Sequence, residues 1–174
     1  MAKQSGLSDR LFVAGFNLSG DISALGRIGG GPATLDVTGI DKSAYERIGG
    51  IRDGSIEFTA FFNDAAGQAH PRLSALPTTD VILTYCRGTT LGNPGAALVA
   101  KQATYDGTRG DDGSFTFGVQ AQANGYGLEW GRQLTAGVRT DTTATNGTGV
   151  DMGTGSTAFG LQAWLHVFAF TGTS

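Results

Sequence analysis

Few side chains in this 174-residue sequence could do chemistry. Two histidines are present, His70 beside Pro71 and His166 inside an apolar run. Neither has an acidic or cysteine partner at a ligand-like spacing, which argues against a metal site or a catalytic triad. Cys86 is alone and follows Val81-Ile82-Leu83-Thr84-Tyr85, so it reads as a buried, inert thiol rather than half of a disulfide. Asp106, Asp111 and Asp112 cluster as calcium ligands do, but an exposed turn needs polar residues in any case. Gly26 to Gly31 has the glycine content of a phosphate-cradling loop without the Lys-Ser/Thr or long helix that would complete one. Arg109-Gly110-Asp111 matches an adhesion tripeptide, which arises by chance at turn tips. Tyr126 and Trp130 could stack on a sugar, with Trp164 in support, or pack as edge aromatics with the rings buried. No catalytic residue, metal or cofactor is expected.

The chain is more informative about the elements that would position surfaces. Asp112-Gly113-Ser114 opens Phe115 to Ala123, whose apolar residues alternate with Thr116, Gln120 and Gln122. That pattern is a half-buried antiparallel strand launched from a tight turn. Asp53-Gly54-Ser55 is expected to launch Ile56 to Ala60 in the same way. Further strands are expected at Leu11–Leu18, Leu35–Ile40, Asp80–Cys86, Leu98–Tyr105 and Gly127–Leu134. Leu98–Tyr105 should pair with Phe115–Ala123 across Asp106–Gly113. Gly26–Pro32 reads as a loop, and Arg87–Gly95 as another with Asn93-Pro94-Gly95 at its tip. Asp41 can cap a short helix over Lys42–Ile48, stopped by Gly49-Gly50. A second short helix is expected from Pro71 to Pro77, with Leu73 and Leu76 inward.

Composition supports a surface-driven role. Charged residues make up 16% of the chain, 29 residues are glycine and the net charge is −3. Such a surface suits close packing against copies of itself, and no basic stripe is present to grip nucleic acid. Met1–Gly6 carries no apolar run of a secretion signal, and no stretch of about twenty apolar residues would span a bilayer. Synthesis and folding in a cytoplasm are expected. Three regions follow: a β domain over residues 1–137, a Thr/Gly-rich arm or linker over 138–157, and a final strand within 158–174. That strand, Phe159 to Phe170, is apolar on both faces, so it should pack on the domain or on another subunit.

Three stretches carry a resemblance: Ile51–Phe58, Lys101–Arg109 with Asp112-Gly113-Ser114, and Asn124–Gly137. With the order of elements over residues 10 to 137, the chain resembles the major tail tube protein of long, flexible-tailed bacteriophages. The resemblance implies a mainly β fold, two packed antiparallel sheets as a sandwich or barrel, with a short flanking helix. It further implies hexameric rings stacked into a tube in the virion tail, assembled in the host cytoplasm. The tube would conduct double-stranded DNA without sequence-specific binding and would meet a tail terminator, a tape measure and a tail tip. No membrane is involved.

A conduit wall must not hold the phosphate backbone, so neutral or acidic residues suit it. Glu57, on the polar face opposite Ile56 and Phe58, is the candidate lumen carboxylate. Asp41, Tyr45 and Arg47 in one loop, and Arg109, Asp111 and Asp112 in another, are candidate inter-subunit contacts. Competing expectations are a capsid decoration or tail-tip protein, or a carbohydrate-binding module.

Overall fold

The computed structural model describes residues 5–153 and 160–171. Its elements run β1 (Arg10–Val13), β2 (Phe16–Asn17), β3 (Ile22–Asp36), β4 (Arg47–Phe61), α1 (Ala69–Leu73), β5 (Val81–Cys86), β6 (Pro94–Gln102), β7 (Asp106–Arg109), β8 (Phe115–Ala123) and β9 (Glu129–Arg132). The mainly β architecture read from the sequence is the one observed. All strands join one open antiparallel sheet in the order β2-β1-β5-β6-β8-β4-β3, with β7 on β8 and β9 on β6.

The sheet has two halves because β6 divides its free edge. Pro94 to Ala97 pair with β9, whereas Ala100 to Gln102 pair with β8. Beyond that short joint β8 carries β4 and β3 away as a second layer. Leu11, Val13, Leu83 and Leu98 from one half meet Ile56, Phe58, Val119 and Ala121 from the other in a single core. The two sheets expected from the resemblance are thus one continuous sheet folded over a shared interior. Leu11, Leu18, Ile56, Leu73, Leu83 and Leu98 are almost wholly buried there, each contributing roughly 1.5–3 kcal/mol. Gly95, Ala96, Ala97 and Ala100 are small because β6 is covered on both faces.

Several local expectations are corrected. Leu11–Leu18 is a hairpin rather than one strand, since Ala14 (φ 49°) and Gly15 (φ 83°) are both left-handed, as a type I′ turn requires. Gly26–Pro32 is strand, within β3, and the helix over Lys42–Ile48 does not form. Leu35–Ile40 is strand only to Asp36, where β3 ends. Asp53-Gly54 lies inside β4 and turns nothing. Long-range pairing decides all of these, with Gly30 opposite Gly54 and Gly31 opposite Asp53. Glycine serves close approach here: a Cβ on Gly54 would sit 2.6 Å from the Leu128 Cβ.

Asp112-Gly113 does make the expected turn, with Gly113 at φ 88° and the Ser114 N–H donating to Asp112 Oδ1 at 2.9 Å. Its hairpin partner is β7 within Asp106–Gly113; Leu98–Tyr105 forms ladder pairs with β8 at Ala100–Gln102, after which the Ala103 N–H donates to the Gln120 carbonyl at 2.7 Å. β6 begins at Pro94, so Asn93-Pro94-Gly95 is no loop tip; a strand's first residue needs no ladder N–H. Leu73 is buried as expected, but Leu76 is exposed in a left-handed turn (φ 41°) before Pro77. No strand occurs in the carboxy-terminal segment over residues 160–171, and Phe159 lies outside the described residues.

Candidate functional site: a polar sheet face and two opposed hairpin ends

Strand alternation gives the β3-β4-β8 layer two unlike faces. Ile56, Phe58 and Ala60 of β4 enter the core with Phe117, Val119 and Ala121 of β8. Their neighbours point outward and form rows across the three strands. One row is Arg27, Glu57 and Gln120; the next is Gly29, Ser55 and Gln122; Ala24, Thr59 and Gly118 form a third. The outer face therefore carries small or polar side chains, and a shallow groove of about 520 Å³ runs over it beside Gly30, Gly31 and Asp53.

Its polar groups hold one another. Gln122 Nε2 donates to both Asp53 oxygens at 2.7 and 2.8 Å, and Gln120 Nε2 reaches Glu57 Oε1 at 3.4 Å. The Gly54 N–H and the Gln122 amide keep the Asp53 carboxyl below its ordinary value, so it is charged at neutral pH. Glu57 lies on this face, half-buried. Asp53 was missed because Asp-Gly signals a turn; the alternation of Gln120 and Gln122 was the readable sign of the face.

The candidate contact loops sit at opposite ends of this layer. Asp41 and Tyr45 are in the β3–β4 connection, and Arg47 opens β4. That tip is closed by Val37 N–H to Glu46 O and by Glu46 N–H to Thr38 Oγ1. The hairpin runs past the core and exposes Leu35, Val37, Ile40, Tyr45, Ile48 and Ile51. Arg109 ends β7, and Asp111 and Asp112 lie in the turn to β8. Because Phe61 pairs with Thr116 and Ser55 with Gln122, this turn lies beyond the other end of β4. Fourteen residue steps from Arg47 to Phe61 separate the ends by roughly 45 Å.

The remaining candidates are dispersed. His70 Nδ1 lies 2.9 Å from the Tyr105 hydroxyl, and His166 is bonded to Gly15 and Thr84. Cys86 is buried, which pushes its thiol up to about 11. Trp130 meets Tyr85 edge-on but is 58% exposed, so its ring is not buried as the packing reading required. Among the described residues no group of three His, Cys, Asp or Glu could hold a metal, and no helix is long and apolar enough to cross a membrane.

No family model and no curated protein matches this sequence. The fold does match solved structures. A chain from the virion of a native gene transfer agent particle superposes with a TM-score of 0.57 at 16% identity, over 74% of this chain and 98% of that one. A chain from the tail of an empty gene transfer agent particle, solved by helical refinement with C6 symmetry, gives 0.56 at 19% identity, over 73% and 98%. The fold expected from the phage tail resemblance is the fold these chains share.

Proposed function

We propose that this chain is a structural subunit of a phage-type tail, which assembles with itself into six-membered rings stacked as a tube for double-stranded DNA. The observation that carries this reading is the one-sidedness of the β3-β4-β8 layer, joined to a fold found in a C6-symmetric tail. An outer face of Gly, Ser, Thr and Gln with Asp53 and Glu57 offers phosphate little to hold; Arg27 faces the acids, and Lys101, beside Gln122 at the β6 edge of the face, is paired with Asp80. In this reading Glu57 and Asp53 line the channel. Asp41, Tyr45 and Arg47 at one end, with Arg109, Asp111 and Asp112 at the other, contact neighbouring copies. Bare apolar residues on the projecting hairpin support burial against such a copy. The tail terminator, tape measure and tail tip are the other partners, and the virion tail is the location.

Electron microscopy of the concentrated protein tests the proposal. Hollow tubes of uniform width, with a channel wide enough for a duplex, are the expected result. Discrete trimers or knobs on capsids would overturn it in favour of a decoration or tail-tip protein.

A further inference from the structure

The carboxy-terminal segment, residues 160–171, lies against the outer side of the first half of the sheet without joining a ladder. It is held at His166. The Gly15 N–H donates to His166 Nδ1 at 3.2 Å, and His166 Nε2 lies 2.9 Å from Thr84 Oγ1. A backbone N–H can only donate, so Nδ1 must carry a lone pair and Nε2 the proton, which it gives to Thr84. The imidazole also meets Phe12 at 5.8 Å between ring centres, and Phe168 of the same segment meets Phe12 at 5.4 Å. Leu161, Leu165 and Phe170 remain exposed, while Trp164 is half-buried and the Val167 carbonyl lies close over Gly15.

We propose that His166 is a proton-operated latch: neutral, it pins the carboxy-terminal segment across the β1–β2 turn and β5, and protonated, it releases that segment. A proton on Nδ1 sets its N–H against the Gly15 N–H, which replaces an acceptor with a second donor. The new charge would sit half-buried among Phe12, Phe168 and the strand backbone. The Phe12 ring offers a cation a weak attraction, smaller than the loss of an acceptor together with solvation. Among the described residues no carboxylate is bonded to His166; Glu129, two strands from Thr84 on the same row, is already paired with Arg52 at 2.7 Å. On the face of β1 that bears Phe12 the charged residue is Arg10, which opposes a second cation. On β5 the group next along from Thr84 is Cys86, which stays neutral. The β1–β2 turn and residues 160–171 contribute no other titratable side chain.

Burial accordingly holds His166 below its ordinary value of 6.5. Docking is at full strength above that value. It weakens as pH falls from 6.5 toward the docked value, because the released form takes up the proton first, by about tenfold per pH unit. The latch does not depend on the tube reading.

Hydrogen exchange of the full chain, corrected for the intrinsic pH dependence of amide chemistry, tests it near about pH 7.5 and about pH 5. The Gly15 amide, which donates to His166 Nδ1, should exchange faster at the lower pH, by no more than about thirtyfold, while those of β5 and β8 hold. His166→Phe keeps a ring between Phe12 and Phe168 but cannot titrate, so its Gly15 amide should be indifferent to pH. Equal protection of the wild-type Gly15 amide at both values would overturn the latch, as would a His166→Phe response matching the wild type. Should that variant not fold, an NMR titration of the wild-type ring decides: an apparent pKa below 6.5 supports the latch, and one at or above 6.5 overturns it.

Discussion

Single residues carry two consequences that bulk measurements can read. Gly54 is covered by Leu128, and a methyl there would overlap the Leu128 backbone nitrogen and Cβ. Gly54→Ala should lower unfolding free energy by about 1–3 kcal/mol in urea, whereas Gly131→Ala, with nothing within 4 Å, should change it by less than about 0.5 kcal/mol. Tyr85 is pushed up to about 12 by burial and by its hydrogen bond to Asp9, and burial raises Cys86 to about 11. Both groups stay protonated in the fold while an unfolded chain ionises them, so they favour unfolding only as pH rises. Stability should be level through neutral pH and fall as pH climbs through 9 and 10 toward the two raised values. Tyr85→Phe and Cys86→Ala should flatten that decline in denaturant titrations at alkaline pH. Glu57 was legible at this scale, because alternation fixes its face. Asp53 was not, since its local turn signal is overridden by a partner 22 positions away, Gly31.

Elements depend on residues far from them in sequence. The α1 N-cap residue, Gln68, provides no side-chain hydrogen bond; instead Asp21, in the loop before β3, accepts from the Ala69 N–H at 2.9 Å and from Asn63 Nδ2 at 2.8 Å. Asp21→Ala leaves those buried donors without an acceptor and should lower unfolding free energy by about 2 kcal/mol, seen as a shifted urea midpoint. Calorimetry with Leu73→Ala should show a comparable or greater loss, from the cavity it leaves. The β3–β4 hairpin behaves oppositely. Ile40→Asp with Ile51→Asp changes fully exposed sites and should leave the thermal midpoint of the single subunit intact, while abolishing higher-order species in sedimentation. Short strands with strict alternation, such as β5 and β8, were readable because their own residues decide them. The long hairpin was not, because the Gly-Gly pairs at 29–30 and 49–50 that lie inside it read locally as loop and helix stop. Its extent is set by one strand finding the other.

The whole molecule combines an apolar interior, an outer face whose cations are Arg27 and, at its β6 edge, Lys101 paired with Asp80, and a projecting hairpin with bare apolar residues. Asp53→Lys with Glu57→Lys would reverse the charge of the outer face without touching the core. That variant should retain duplex DNA in a salt-dependent manner on a filter or column, and the unaltered protein should not. Retention by both, equally, would sink the conduit wall. The two ends of the β3-β4-β8 layer differ: a projecting hairpin tip with exposed Ile40 and Tyr45 at one, and at the other the Asp111-Asp112 turn beside the exposed rings of Phe61, Phe62 and Phe115. Stacked head to tail, such subunits give a filament with direction. One terminus always presents the tip and the other the turn, so a protein that recognises either can start growth or halt it without competing for the opposite end. Length then becomes something two separate factors can set independently.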